Sequence, residues 1–296
     1  MTRPIRLRAF AKINTGLKIL GKRADGFHEI RTLYQTVALH DDLTIQISSE
    51  PEIAIECSDP SIPSGRGNLV YRAFELWSRA RKFKGGFRAE ITKSIPAGGG
   101  LGGGSSDAAA TLLGLERLAG NRLDPATRFE IAARLGSDVP LFLLGGRVLG
   151  CGRGEEVYPI TDLPARHCLI VHPGFAISTP EAYREAGLKL TRHRKGLNVS
   201  MFGVWSQCPM QVGGPAENDF ETFVFAKWPE LGRIKDQFIR AGAETASLTG
   251  SGSAVYGLFV SARQLTQAAK TVPAGWSVFR TQTLSRERYR RLIFAD

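Results

Sequence analysis

Hydrophobic and polar positions alternate with a period of two over several stretches in the first third of the chain. The alternation predicts a strand over Ile5 to Lys12 and another over Glu29 to Leu39. DLTIQI (42–47) and EIAIE (52–56) alternate in the same way and predict two strands that pair with each other and have one solvent face. Apolar residues at helical spacing follow Asn68, which we expect to cap that helix.

The second half of the chain begins with a hairpin pattern from Arg147 to Ile160. The composition changes directly after it, so we predict a domain boundary there, with domains at residues 1–160 and 161–296. Beyond the boundary the pattern predicts a strand at His167–His172, a helix from Thr179, a capping box at Asn218 and Glu221, a helix at Pro229–Ala241, strands on both sides of a Gly250–Ser253 turn, a helix at Ala262–Val272 and a strand at Trp276–Thr283. The segment Gly187 to Gly214 is predicted to be irregular.

A glycine-rich stretch, PAGGGLGGGSSDAAA, lies between the strand-like Phe87 to Lys93 and a helical pattern. We call Pro96–Ser106 the glycine loop. Its backbone N–H groups can wrap an anion closely, and the following helix, with Ser105 or Ser106 as its expected N-cap, directs its positive dipole end to the same place. The stretch therefore predicts a phosphate-binding loop. A flexible linker is the alternative; the shortness of the run, Leu101 in its middle and the strand-like and helical segments on its two sides argue against it.

The class of phosphate-binding loop stays open at this level. Gly98, Gly100 and Gly103 satisfy G-x-G-x-x-G, but a second helical pattern, Asp124 to Gly136, follows where a dinucleotide fold needs a strand. Asp124 is the expected N-cap of that helix, with Pro125 at its first position. A lysine does not follow the glycines as in a Walker loop, and the sequence has neither His-Arg-Asp nor Asp-Phe-Gly. Walker-type and protein-kinase sites are therefore excluded.

Composition limits the remaining possibilities. The chain has 296 residues and is 43% hydrophobic, which fits one large or two ordinary soluble domains. The sequence has no apolar run near the ~20 residues that span a bilayer and no apolar stretch after its basic N-terminus, so we expect a cytoplasmic protein. Its four cysteines, Cys57, Cys151, Cys168 and Cys208, lie far apart, which predicts reduced thiols rather than a zinc site or disulfides.

The net charge of +11 raises the question of nucleic-acid binding. The lysines and arginines are scattered, with the densest groups at Arg79–Lys84, Lys189–Lys195 and Arg286–Arg291, and no nucleic-acid-binding motif accompanies them. The groups are more typical of solvated surface, and attraction of a polyanionic small substrate is the main functional alternative. Taken alone, Lys12 would be interpreted as a surface charge and Asp138 as a cap or turn former.

Three motifs change that interpretation. AKIN (11–14), GGGLGGGSSDAAA (98–110) and LTGSGSAVYGLF (248–259) resemble the motifs of the GHMP small-molecule kinases, named for galactokinase, homoserine kinase, mevalonate kinase and phosphomevalonate kinase. The resemblance covers nearly the whole chain. It implies a two-domain α+β fold, with an N-terminal domain like the second domain of ribosomal protein S5, a ferredoxin-like C-terminal domain and substrates in the cleft between them.

The resemblance also implies the chemistry. GKRADGFHEI (21–30) and GSDVPLFL (136–143) are similar to the branch of the family that uses ATP to phosphorylate the 2-hydroxyl of methylerythritol in a cytidine diphosphate conjugate, in the non-mevalonate isoprenoid pathway. It makes Asp138 the general base, Lys12 its cationic partner and Asn14 a substrate-positioning residue. The ATP phosphates, bridged by Mg²⁺ with Ser106 as a possible ligand, would lie on Pro96, Ala97, Gly98, Gly99, Gly100, Leu101, Gly102, Gly103, Gly104, Ser105 and Ser106.

The same resemblance implies a pyrimidine site. Phe27 stands where the family has tyrosine, so a stacking face is kept and a hydroxyl is lost, while His28 would contact the edge of the cytosine and Tyr183 its other face. The expected partner is a small molecule carrying a cytidine diphosphate group, with no nucleic acid or membrane, and the chain would act as a monomer or homodimer. Two alternatives stay open: a GHMP kinase with another acceptor, and a basic RNA-binding protein on the same S5-like domain.

Overall fold

Two long antiparallel strands, β1 (Ile5–Lys22) and β2 (His28–Ser48), form the centre of the N-terminal half. The computed structural model describes residues 2–190 and 217–295, and the side chains of all of these except 186–190. The register between the two strands shifts once between Phe10 and Lys12 and again between Asn14 and Gly16. Because such bulges bend a strand and redirect its side chains, the AKIN segment is set apart from the regular ladder on both sides.

The first sheet has the strand order β3-β4-β2-β5-β6, with β1 paired to β2. Its remaining strands and the helices that accompany them are β3 (Ile53–Cys57), α1 (Leu69–Arg81), β4 (Gly86–Thr92), α2 (Gly103–Leu118), α3 (Pro125–Leu135), α4 (Val139–Leu144), β5 (Arg147–Cys151) and β6 (Glu156–Pro159). β3 and β4 are parallel and are connected through α1. The predicted pairing of 42–47 with 52–56 is wrong, because this crossover places β4 between the two segments.

The second sheet has four antiparallel strands in the order β10-β7-β9-β8. In chain order the elements are β7 (His167–His172), α5 (Thr179–Leu190), α6 (Glu221–Lys227), α7 (Pro229–Arg240), β8 (Thr245–Leu248), β9 (Val255–Phe259), α8 (Ala262–Ala269) and β10 (Ser277–Gln282), followed by α9 (Arg286–Leu292). This order of strands and helices is that of a ferredoxin-like unit. The predicted α+β fold is confirmed, and it contains two sheets. Of the segment predicted to be irregular, 187–190 continue α5, and 191–214 lie outside the described residues.

The two sheets meet through a buried apolar cluster of their own. It contains Ala11, Ile13, Val37, Ile95, Leu101, Cys168, Ile170, Ala254, Tyr256 and Leu258. Leu101 from the glycine loop is 1% exposed within it, so the loop is packed between the sheets instead of behaving as a linker. α9 also packs back on the first sheet, where Tyr289 lies against Phe10 and donates to the Phe142 carbonyl at 2.6 Å. The domain boundary after residue 160 stays a prediction.

Two of the predicted helix N-caps are present in the structure, and one is not. Asn68 accepts a hydrogen bond from Val70 N at 2.8 Å and Asp124 accepts one from Thr127 N at 2.9 Å, which confirms both predicted N-caps. The predicted cap at Ser105 or Ser106 is wrong: α2 begins at Gly103 after Gly102, which has a left-handed φ of 74°. A glycine at that position starts the helix earlier and leaves both serines in its first turn.

The predicted capping box at Asn218 and Glu221 is also wrong. The Glu221 carboxylate accepts hydrogen bonds from Ser247 Oγ at 2.7 Å and Leu248 N at 3.0 Å, and pairs with Lys235. The side chain of Asn218 donates to the carbonyls of Leu248 and Gly250. Asn218 Oδ1 still accepts locally, from Phe220 N at 3.0 Å, but strand β8 takes the Glu221 carboxylate that a capping box would have used.

We predict that Asn68→Ala lowers the free energy of unfolding by about 1 kcal/mol, because the first turn of α1 loses its side-chain acceptor. Urea unfolding followed by circular dichroism measures the change. Asn68→Asp keeps an acceptor oxygen and should stay closer to wild type. Equal stability of the alanine variant and wild type would contradict the capping role.

Candidate functional site

A cleft of about 1000 Å³ lies between the two sheets. Its lining comes from β1, β2, the glycine loop, the start of α4, the β5-β6 hairpin, α5 and the turn after β8; the residues that the sequence singled out within it are Lys12, Asn14, Phe27, His28, Gly100, Ser105, Asp138 and Tyr183. Four of its lining side chains are basic, namely Lys12, Lys22, Arg153 and Arg184, and one, Asp138, is acidic. This surplus of positive charge suits an anionic ligand.

Lys12 is buried in the floor of the cleft with its side chain 3% exposed. Its Nζ donates to Asn14 Oδ1 at 2.7 Å and lies 3.4 Å from Asp138 Oδ2 and 5.6 Å from the centre of the Tyr34 ring. The sequence-predicted pair of Lys12 and Asp138 is thus brought together. A fixed ammonium at this position can stabilise negative charge that develops beside Asp138.

Asp138 lies directly before α4, with its side chain 31% exposed to the cleft. One oxygen faces Lys12, and the other accepts a hydrogen bond from Tyr34 Oη at 3.0 Å. The carboxylate is therefore oriented by two groups and still open to a ligand, which is the arrangement that a general base requires.

Tyr34 is a residue that the sequence reasoning missed. It lies in β2 within a run of buried positions, where its spacing is that of a core residue. Burial, followed by the negative charge of Asp138, raises its pKa well above the usual value, so its hydroxyl keeps its proton and remains a donor. Only its hydrogen bond to Asp138, which forms in the folded chain, distinguishes Tyr34 from a tyrosine that serves packing alone.

Asn14 joins the site to the second sheet. Its Oδ1 accepts from Lys12 Nζ and from Gly250 N at 2.8 Å, and its Nδ2 donates to Thr32 Oγ1 at 2.7 Å. Tyr256 in β9 donates to the main-chain carbonyl of Asn14 at 3.0 Å. The carboxamide thus makes several hydrogen bonds within the protein. This favours a role in holding Lys12, in addition to any role in contacting substrate.

The glycine loop depends on backbone conformations that suit glycine. Gly98, Gly100 and Gly102 all have φ between 71° and 74°. A Cβ on Gly100 would lie 2.1 Å from the Thr249 carbonyl oxygen, so only glycine allows the loop to approach the turn after β8 this closely. Gly99 O accepts from Ala254 N, and Leu101 O accepts from Lys12 N. The loop is held from both sheets.

Ser106 offers a polar atom without a protein partner. Its side chain is buried at the first turn of α2, and its Oγ makes no hydrogen bond within the described part of the chain. A buried hydroxyl in this state suits a bound phosphate or cation. Among the described residues no group of three or more His, Cys, Asp and Glu side chains could hold a metal ion. Cys57, Cys151 and Cys168 are free thiols, and Cys208 lies outside the described residues.

The rings predicted to bind the pyrimidine lie at the other end of the cleft. His28 stacks on Tyr183, with ring centres 4.8 Å apart and planes 14° apart, and Tyr183 also makes a T-shaped contact with Phe220. Phe27 is 53% exposed and lies under the Arg153 guanidinium at 4.7 Å. Burial and then the charge of Lys22 lower the pKa of His28, so its ring is neutral near pH 7 and carries one donor and one acceptor.

Comparison with known proteins places this geometry in a family. Residues 68–146 match the family described as GHMP kinases N terminal domain, and residues 211–277 match GHMP kinases C terminal. The chain is 42% identical over 294 residues to the 4-diphosphocytidyl-2-C-methyl-D-erythritol kinase of Solibacter usitatus (strain Ellin6076), covering 98% of this chain and 92% of that protein. The enzyme of the same name from Acetivibrio thermocellus is 33% identical over 281 residues, with 95% and 99% covered.

A solved structure gives the same picture. The crystal structure of a 4-(cytidine 5'-diphospho)-2C-methyl-D-erythritol kinase superposes with a TM-score of 0.76 at 32% identity, covering 94% of this chain and 99% of that one. Within the described residues no helix is both long and apolar enough to span a membrane.

We predict that Gly100→Ala destabilises the protein and that Gly104→Ala does not. At Gly100 a Cβ meets a backbone oxygen at a positive φ, and we expect the free energy of unfolding to fall by about 1–3 kcal/mol. Gly104 is helical and its Cβ would lie 3.8 Å from Leu69 Cδ1, so alanine should be neutral or stabilising by up to about 1 kcal/mol.

Urea unfolding of both variants measures this difference. A Gly100 variant as stable as the Gly104 variant would show that the loop does not need its close approach to the second sheet.

Proposed function

The chain belongs to the 4-diphosphocytidyl-2-C-methyl-D-erythritol kinases of the GHMP family, and we propose that it transfers the γ-phosphate of ATP to the 2-hydroxyl of that substrate's methylerythritol moiety. The single observation that carries the proposal is the pair of buried Lys12 and cleft-exposed Asp138, which lies in one cleft with the glycine loop. Cytoplasmic location and a monomeric or homodimeric state stay predictions.

In the proposed reaction Asp138 takes the proton from the substrate's 2-hydroxyl while the oxygen of that hydroxyl forms a bond to the γ-phosphorus. The bond between that phosphorus and the bridging oxygen of ATP breaks, and ADP leaves with the electron pair. Tyr34 holds the carboxylate in place, and the ammonium of Lys12 stabilises the negative charge that develops beside it. Phosphoryl transfer relies on such positioning and electrostatic stabilisation more than on covalent catalysis.

The glycine loop would hold the ATP phosphates through its backbone N–H groups and the N-terminus of α2. Mg²⁺, when bound, would neutralise charge on the phosphates, and the partnerless Ser106 Oγ supports its candidacy as a ligand. The described residues hold no group of three or more His, Cys, Asp and Glu side chains that could bind a metal ion, and Mg²⁺ would accordingly be held mainly by the phosphates and water.

For the acceptor we propose that Phe27, His28 and Tyr183 bind the cytosine. The neutral ring of His28 has the donor and the acceptor needed at a pyrimidine edge. The exposed face of Phe27 supplies a stacking surface, and the basic side chains of Lys22 and Arg153 are placed to attract the diphosphate.

We predict that Asp138→Asn lowers kcat by about 10²- to 10⁴-fold, because the amide cannot accept the hydroxyl proton. ³¹P NMR of wild type with ATP and 4-diphosphocytidyl-2-C-methylerythritol should show a new phosphomonoester, which the variant forms far more slowly. Asp124→Asn, which keeps a cap on α3 outside the cleft, is the matched control.

Mevalonate, homoserine and galactose serve as control acceptors in the same experiment. Turnover of one of these in place of the cytidylyl substrate would retain a GHMP kinase and reject the pyrimidine site. No turnover of any acceptor, together with steeply salt-dependent RNA binding, would reject the kinase proposal.

We predict that Phe27→Ala raises the Kd of the cytidylyl acceptor by about 5- to 150-fold, corresponding to roughly 1–3 kcal/mol of lost base stacking. The KM for ATP should not change. Phe27→Tyr restores the ring with a hydroxyl and should bind at least as tightly as wild type. Wild-type affinity in the alanine variant would remove Phe27 from the acceptor site.

A further inference from the structure

Three charged side chains lie buried beneath the glycine loop, and none of them lines the cleft. Lys93 Nζ is 2.7 Å from Asp107 Oδ2 and also contacts Asp41 Oδ2. The side chain of Lys93 is 8% exposed, and Asp41 is fully buried. We call Asp41, Lys93 and Asp107 the lysine clamp. Its members come from β2, from the residue after β4 and from α2.

The lysine clamp holds the chain on both sides of the loop. Before the loop, Asp41 Oδ1 accepts hydrogen bonds from Ser94 N at 2.6 Å and Ile95 N at 2.8 Å. After the loop, Asp107 follows Ser106 directly in the first turns of α2. The ion pair of Lys93 with Asp107 therefore connects the segment that enters the loop to the helix that leaves it.

The two ends are also in close steric contact. A Cβ on Gly103 would lie 3.1 Å from Ile95 Cγ2 and 3.3 Å from Lys93 Nζ. Glycine at this position lets the helix start pack directly on the clamp. The direction in which the first N–H groups of α2 point is consequently set by where Lys93 and Asp41 hold the strand end.

The lysine clamp places three ionisable side chains where little water can solvate them. Burial opposes the charge on Lys93, but the two carboxylates outweigh it and raise the pKa of the ammonium. The Asp107 carboxylate is buried with one oxygen on Lys93, and its Oδ1 has no hydrogen-bond partner among the described residues. Buried ionic groups of this kind often contribute little net stability.

We propose that Asp41, Lys93 and Asp107 are positioning residues that fix the glycine loop in its ATP-binding conformation. The inference rests on the proposed function in taking ATP as the ligand of the loop. The clamp acts through the backbone: it holds the entering strand and the leaving helix at a fixed separation, so the loop binds the phosphates without a further ordering cost.

The test is Asp107→Ala in the full chain. This variant removes the connection between the two ends but leaves Lys93 paired with Asp41, so we expect it to fold with a urea midpoint no lower than wild type. Calorimetric titration without acceptor should give a Kd for ATP about tenfold higher, because the loop must now be ordered on binding. The KM for ATP should rise with it, while the KM for the cytidylyl acceptor stays within about twofold. Asp107→Asn keeps an oxygen acceptor for Lys93 and should restore most of the affinity.

Glu116→Ala is the matched control. Glu116 is a buried carboxylate further along α2 that pairs with Arg128 Nε at 2.8 Å, and its loss should lower stability without changing the Kd for ATP. ATP binding by Asp107→Ala equal to wild type, or equal weakening of ATP binding in both alanine variants, would overturn the proposal. A wild type that binds ATP without phosphorylating the cytidylyl acceptor would overturn the proposed function alone, since the calorimetric comparison needs no acceptor.

Discussion

The buried ammonium of Lys12 is the constraint on which the site depends. A charge removed from water costs several kcal/mol unless it is paired and hydrogen-bonded, and Lys12 is 3% exposed. Its partners are the Asn14 carboxamide, the Asp138 carboxylate and the face of the Tyr34 ring, which come from β1, the start of α4 and β2. This one charge is therefore satisfied only where β1, β2 and the start of α4 meet. The Lys12 and Tyr34 side chains also orient the Asp138 carboxylate that we propose as the base. The contacts that satisfy the buried ammonium therefore also serve the proposed chemistry.

The second sheet enters the site through Asn14 and the glycine loop. The carboxamide that accepts from Lys12 also accepts from Gly250 N, and Thr249 Oγ1 donates to the Gly100 carbonyl at 3.1 Å. The turn after β8 thus contacts both the group that holds the ammonium and the loop proposed to hold the phosphates. The apolar cluster between the sheets packs Ile95, which directly precedes the glycine loop, and Leu101, which lies in its middle. Because the loop is held from both sides, the complete site exists only when the two sheets are packed together.

Local signals in the sequence predicted local structure well. The glycine loop, the caps at Asn68 and Asp124 and most strands were predictable because each depends on neighbours in the chain. Prediction failed where distant residues compete: β4 separates the expected strand pair, and β8 takes the Glu221 carboxylate from its expected cap. The residues alone could not join Lys12 to Asp138, since their contact arises only in the fold and needed the family resemblance to be expected. Tyr34 shows the same limit, because its period-two position is that of any core residue.

The aromatic end of the cleft shows how the proposed acceptor site would have to respond to its ligand. Tyr183 stacks its face on His28, so a cytosine that stacks on that same face must first displace the imidazole. An aromatic pair contributes about 0.5–1.5 kcal/mol beyond its buried area, and base stacking contributes roughly 1–3 kcal/mol, so the exchange is favourable or close to neutral. The displaced ring of His28 is neutral and gains hydrogen-bond partners at the pyrimidine edge. One movement of His28 would thus both open the stacking face of Tyr183 and supply the polar contact to the base. Stacking on the pyrimidine ring and hydrogen bonding to its edge would then depend on each other.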